Sequence, residues 1–257
     1  MRASRASAGN KSGKNSLPNV GAPIEVRRHP SARRMTLRVS RTRRAVIVTV
    51  PVQCDLDEAS TFINRNIDWV LERLGKLPER EPICDGGSVP LRGVLHRIVF
   101  LGHDDSRNYA ASRTVELINA DSQAPTLHVA GRVEHAERRL KDWMFEEARR
   151  DLDVAVRFHA AALGLKPRRI AVRDQTSRWG SCSTTGVLSF SWRLVMAPPR
   201  ILDYVAAHEV AHLAEMNHGP RFWAHVERLI PTMKEDKLWL QVYGLDLHRY
   251  GPTDRAD

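Results

Sequence analysis

One segment restricts this chain more than any other: Asp203-Tyr204-Val205-Ala206-Ala207-His208-Glu209-Val210-Ala211-His212. The residues around its histidines are small or apolar on nearly every side, which predicts a buried helix opened by Pro198-Pro199 near Ile201. His208 and His212 are four apart, so on a helix they stand about 40° apart around the axis and one turn along it. Both imidazoles then face one point, where a zinc ion can take two nitrogens. Glu209 adjoins His208 and can lean over that point as a base, taking a proton from a water that the metal activates. Dry walls around such a helix strengthen the metal's electrostatic effect, so the fold must place it in the floor of a cleft.

Catalytic zinc sites use three protein ligands and leave one position for water. His218 is the candidate for the third. On a helix continued past His212 it would point about 120° away from the other two, so the helix is expected to end near Glu215–Asn217. Asn217 in the left-handed conformation would end it, and Gly219-Pro220 prevents continuation. The spacing H-E-x-x-H-x5-H is also that of metzincins, but Glu215 holds the position of their glycine. The bland alternative, a helix with two surface histidines, leaves Asn217-His218-Gly219 unexplained.

The rest of the chain predicts a β-rich first half and a helical second half. Met35–Val39 and Ala45–Val50 read as a hairpin, and a helix capped by Asp55 or Asp57 runs over Ala59–Leu74. Val89–Phe100, Thr114–Ile118 and Thr126–Val129 read as strands. A long helix over 133–163 follows, stopped by Gly164 and Pro167, then strands Arg169–Arg173 and Val187–Val195. Further helices fall at Phe222–Leu229 and Lys237–Val242. The expected organisation is a disordered basic tail over 1–22, a β-rich part over 23–130, a metal-binding domain over 131–250 and a short tail over 251–257. Mean hydropathy is −0.40. No apolar run nears the roughly 18–20 residues that span a bilayer, and no apolar core follows Arg2 and Arg5 as in a secretory signal. A cytoplasmic protein with no membrane partner is the expectation.

Three cysteines, Cys54, Cys84 and Cys182, lack any C-x-x-C pairing, which argues for reduced, buried thiols rather than disulfides or a thiolate metal site. Residues 1–44 hold twelve Lys or Arg against one acid, Glu25, within a net charge of +10. That basic region favours a nucleic acid or nucleotide partner by electrostatics, or is merely a solvated basic segment.

Four stretches, the histidine motif among them, stand out together. They are Arg178-Trp179-Gly180-Ser181-Cys182-Ser183, Trp192-Arg193-Leu194-Val195-Met196-Ala197-Pro198, the motif itself, and Asn217-His218-Gly219-Pro220-Arg221-Phe222-Trp223. Together with Arg33–Val39 and Ile67–Val70 they resemble the YgjP-like metallopeptidase-domain family, related in its motif to SprT-like and WLM metallopeptidases. The resemblance covers about Ile24 to Tyr250. It implies a zincin-like α+β domain, with an active-site helix under a small β-sheet and a β-rich part before it. His208, His212 and His218 would bind Zn2+ and Glu209 would be the general base. The strands at Arg178–Ser183 and Val187–Val195 would lie over the cleft, where an edge strand pairs with an extended peptide.

Arg178 could contact a substrate or the transition-state oxyanion, or pair structurally with Glu215 or Asp203. Trp179, Trp192, Phe222 and Trp223 read as core, and Cys182 as packing. The leading functional expectation is a zinc metallopeptidase acting on a peptide or protein. A metal-dependent nucleotide or phosphoanhydride hydrolase ranks lower, because the carboxylates that hold magnesium are missing. A nucleic-acid-binding protein with a structural zinc conflicts with a free Glu209 beside an open position.

Overall fold

The computed structural model describes residues 17–102, 114–118 and 124–251. Most of the basic tail, including Arg2, Arg5, Lys11 and Lys14, and the last six residues lie outside it. The chain forms two compact units, 1–77 and 78–257, both of mixed α and β structure. Among the described residues no helix is long and apolar enough to cross a membrane.

The first unit is a three-stranded sheet with helices on one face. β1 (Ile24–Arg28), β2 (Thr36–Ser40) and β3 (Ala45–Val50) are ordered β1-β3-β2. β3 is central, parallel to β1 and antiparallel to β2, which is why its sequence is apolar nearly throughout. Val46, Val48 and Val50 face one side and form a core with Ala59, Ile63 and Val70. The opposite side aligns Arg27 with Thr49 and Thr36, and Arg38 with Ile47. The expected single helix is two. α1 (Leu56–Arg65) opens with a capping box, Glu58 N–H donating to Asp55 Oδ1 at 2.7 Å and Asp55 N–H to Glu58 Oε2 at 3.1 Å. It breaks at Asn66, whose side-chain amide donates to the Phe62 carbonyl at 2.8 Å. α2 (Ile67–Gly75) resumes from there.

In the second unit, β4 (Ser88–Leu91), β5 (Val94–Phe100), β6 (Val115–Ile118) and β7 (Thr126–Val129) form a sheet ordered β4-β5-β7-β6. The run expected as one strand from Val89 to Phe100 is a hairpin, because Arg92 and Gly93 both have positive φ. A side chain at Gly93 would also press on Pro198, 3.0 Å from its Cβ. Arg92 keeps its unusual backbone because its guanidinium is gripped by Asp151 at 2.8 Å and Glu147 at 2.7 Å. Both acids sit on α3 (Ala136–Ala162), 27 residues and about 40 Å long.

α3 serves two cores with one stripe. Ala136, Leu140, Met144 and Ala148, four residues apart, bury against β4–β7. Leu152, Ala155, Val156 and Ala160 continue the stripe into a second core shared with α4. Strands 88–129 therefore pack with the helical half of the chain, and the compact units divide at 77/78 whereas composition changes near 131.

β8 (Arg169–Arg173), β9 (Gly180–Cys182) and β10 (Val187–Ser191) form the third sheet, ordered β8-β10-β9, so β9 is an edge. The strand expected to run on to Val195 stops at Ser191. Trp192–Met196 winds into a buried 3-10 turn instead, because Trp192 stacks on Phe145 of α3 at 5.3 Å and donates from Nε1 to Asp174 at 3.0 Å. α4 (Pro199–Ala211) follows with proline in its first turn. α5 (Pro220–Leu229), α6 (Met233–Tyr243) and a 3-10 turn at Gly244–His248 complete the unit.

Candidate metal centre

α4 ends one turn sooner than its sequence predicts. His212 is its C-cap, and the next turn is tightened by Leu213 N–H to the Val210 carbonyl at 2.9 Å and Ala214 N–H to the Ala211 carbonyl at 3.1 Å. Asn217 is not in the left-handed region expected for it. Among the described residues only Arg44 and Arg92 are non-glycine positions with positive φ. The chain instead reverses through a turn closed by Gly219 N–H on the Asn217 carbonyl at 2.7 Å. Pro220 then starts α5 and fixes its direction.

That reversal brings His218 back over α4. Ring centroids are 5.1 Å apart for His208–His212, 5.1 Å for His208–His218 and 4.6 Å for His212–His218. One ring nitrogen from each lies within 4.8 Å of the others, a grouping able to hold a metal ion. His208 and His218 face each other through Nε2 atoms 3.1 Å apart. His212 donates from Nδ1 to the Glu215 carbonyl at 3.1 Å, which leaves its Nε2 lone pair free. Glu215 thus orients a histidine through its backbone. Phe222 packs against all three rings, at 4.9, 4.4 and 4.7 Å. Burial, helped by the neighbouring histidines and Lys237, pushes His208 down to about 4, and burial lowers His212. Both are neutral at neutral pH, the state that ligates metals. Three imidazoles converging on one point, two of them facing each other through Nε2, fit a bound cation.

Glu209 is 5% exposed, on the same turn of α4. Burial raises its carboxyl to about 7 against the opposing charge of Arg178. Its Oε2 has no hydrogen-bond partner. The carboxylate rests against β9 at Gly180, where a Cβ would come within 2.5 Å of Oε1 and 2.6 Å of Cγ. Gly180 is a candidate site residue whose place against Glu209 its motif does not announce. Its only sequence signal is the Trp-Gly step before a three-residue strand.

β9 pairs with β10 through alternate residues. Ser191 N–H donates to the Trp179 carbonyl and Ser183 N–H to the Val187 carbonyl, each at 2.9 Å. In an antiparallel ladder the intervening residues turn their N–H and C=O outward. Gly180 and Cys182 are those residues, so their backbone groups face the free edge of the sheet. Burial and Glu209 raise the Cys182 thiol, so it is protonated and inert. Cys54 is buried as expected, Cys84 is exposed, and all three are free.

Arg178 is exposed and pairs with neither acid weighed for it. Asp203 binds buried His159 at 2.7 Å, and Glu215 lies 3.8 Å from Arg221. Trp192 and Phe222 are fully buried, and Trp179 and Trp223 partly so. Trp223 lies 5.9 Å from His208 and 5.7 Å from His218 and carries the Lys237 ammonium over its face at 4.9 Å. Nothing in the sequence pattern draws attention to Lys237, which reaches the centre only through the packing of α6.

The sequence model of the YgjP-like, metallopeptidase domain family matches residues 33–243. No curated protein matches the chain. Among solved structures, it is similar to the metallopeptidase zymogen of Pyrococcus abyssi abylysin (TM-score 0.34, 18% identity, covering 39% of this chain and 99% of that one). It is also similar to the metallopeptidase zymogen of Methanocaldococcus jannaschii jannalysin (TM-score 0.32, 20% identity, covering 37% and 88%). At such TM-scores neither likeness carries an argument.

Proposed function

The chain belongs to the YgjP-like metallopeptidase-domain family, and from that premise we propose that it is a zinc-dependent peptide hydrolase on a zincin-like α+β domain. The observation that carries this reading is the meeting of three imidazoles, a buried carboxylate with a free oxygen, and an unpaired strand edge. His208, His212 and His218 would hold the ion, and three imidazoles suit Zn2+ among the first-row metals. When bound, the ion supplies a Lewis acid that polarises a carbonyl and acidifies water.

The remaining roles belong to the chain. Glu209 would accept a proton from water at Oε2 and return it to the leaving amine, since its buried carboxylate has a free oxygen beside the histidines. Gly180 supplies the space in which that carboxylate sits. The outward N–H and C=O groups of Gly180 and Cys182 pair with an extended peptide, fixing its carbonyl over the centre. Arg178 opposes negative charge developing on the substrate oxygen.

Glu209→Gln tests the assignment. It should retain one zinc per chain while hydrolysis of a peptide panel falls by about 10²–10⁴-fold. Undiminished hydrolysis in the variant, or a wild-type protein that takes up no metal, sinks it.

A second reading concerns the first unit. Arg33, Arg34, Arg38 and Arg41 are exposed and have no acid partner among the described residues. That arrangement supports a polyanion such as nucleic acid as a partner alongside the hydrolase, through contacts to phosphates. For the metal centre itself, a nucleotide hydrolase is the weaker reading, since the only metal-holding group among the described residues is the histidine triad, with no carboxylate set for magnesium.

A further inference from the structure

The centre is bordered from two different elements by two cations that form no ion pair among the described residues, and we propose that it selects peptides carrying Asp or Glu within two residues of the bond that is cut. This rests on the peptidase reading above and concerns the substrate of that same site. Arg178 enters on the β8–β9 loop, two residues before Gly180, whose backbone touches the Glu209 carboxylate. Lys237 enters on α6. Its ammonium lies 4.9 Å from the centroid of Trp223, a ring that is itself 5.9 Å from His208 and 5.7 Å from His218. Both side chains are exposed.

Resting on an aromatic face holds an ammonium in place without cancelling its charge. Three acids of the surrounding elements are already occupied or turned inward. Asp236, beside Lys237, is fully buried and accepts from Arg200 and from Thr232 Oγ1 at 2.8 Å. Glu215 has Arg221 at 3.8 Å and lends its carbonyl to His212. Glu209 faces the centre. The substrate therefore meets Arg178 and Lys237 as surplus positive charge, with Arg221 set against Glu215.

A peptide laid along the open edge of β9 satisfies its backbone there, so its side chains decide how it meets those charges. Carboxylates are drawn in, and lysine or arginine side chains are repelled. Each exposed pair gives a modest preference, about fivefold at most, which salt weakens.

The test is a peptide library digested by the zinc-loaded full chain, with cut sites read by mass spectrometry. It is repeated with Lys237→Gln and Lys237→Glu, which alter an exposed position and leave the core intact. Binding of labelled Glu, Gln and Lys versions of one cut peptide to Glu209→Gln gives a readout free of turnover. The expected result is Asp and Glu enriched next to the cut bond, with affinity in the order Glu, Gln, Lys. Lys237→Gln should narrow the preference several-fold, mainly through KM, and Lys237→Glu, which sets a negative charge against Arg178, should abolish it. Cleavage with no acidic enrichment, or a preference unmoved by both variants, overturns this proposal while sparing the peptidase reading. No cleavage of any peptide overturns the peptidase reading itself, and this proposal with it.

Discussion

Gly180 shows how a residue with no side chain can set the position of one that matters. Adding a methyl group there would press on the far end of Glu209, which is flexible enough to move aside. Gly180→Ala should therefore leave the melting temperature within a few degrees of wild type and keep the metal. Hydrolysis should nevertheless drop by at least an order of magnitude, because small displacements of a catalytic group are costly. A variant with wild-type kcat/KM would show that Glu209 tolerates the shift. His208, Glu209 and His212 stood out in the sequence because their grouping depends on helical spacing, which is local, and the structure brings His218 to the other two histidines. Gly180 and Lys237 did not, because their places depend on which strand and which helix pack over α4. The end of α4 differs from the sequence expectation for a related reason. It was assigned to a favoured residue type, whereas the chain turns back early enough to return His218 to its partners.

At the scale of elements, the loop between β8 and β9 is held by one acid. Asp174 accepts from Lys141 of α3 at 2.8 Å, from Trp192 Nε1 at 3.0 Å and from Arg193. Further along, Trp179 lies against Gly244 and 5.1 Å from His248, and Gln175 donates to the Trp179 carbonyl at 3.4 Å. Burial works to raise the Asp174 carboxyl, but the hydrogen bonds and charge of Lys141 and Arg193 outweigh it and bring it from 3.8 to about 2. A carboxyl lowered on folding stabilises the native state fully above its unfolded pKa and loses that contribution as pH falls through the folded one. Asp174→Asn should thus be less stable by about 1 kcal/mol at pH 7, allowing for the group's partial exposure. Urea midpoints of variant and wild type should converge between pH 4 and 2. A constant gap across that range would assign the loss to packing rather than charge. This hub lay hidden in the sequence, since its members are 33, 18 and 19 residues apart. Elements with a long pattern or a continuous apolar run, such as α3, α4 and β3, were legible. The three-residue β9 and the 3-10 turn after β10 are too short for a period to register.

Over the whole molecule, composition located the excess charge but not its arrangement. The turns of the first unit raise Arg33, Arg34 and Arg41 into solvent, and the outer face of its sheet carries Arg38. Duplex DNA should bind with log K falling against log salt at a slope of about −3 to −4, as four phosphate contacts imply. Replacing the four arginines with serine should flatten that slope. An unchanged slope would move the contacts elsewhere, and no binding at low salt would remove the nucleic-acid reading.

The second unit organises its site around unequal arms. His212 is buried, His208 is partly so, and His218 stands exposed on a short reversal between two helices. For the proposed holo-protein this is a statement about time. His208 and His212 would hold the ion from the end of a helix and His218 from a short loop, so His218 would be the first of the three to release it. The residence time of such an ion would then depend on how quickly the 213–219 reversal recloses, and stiffening that short stretch would slow exchange with free metal.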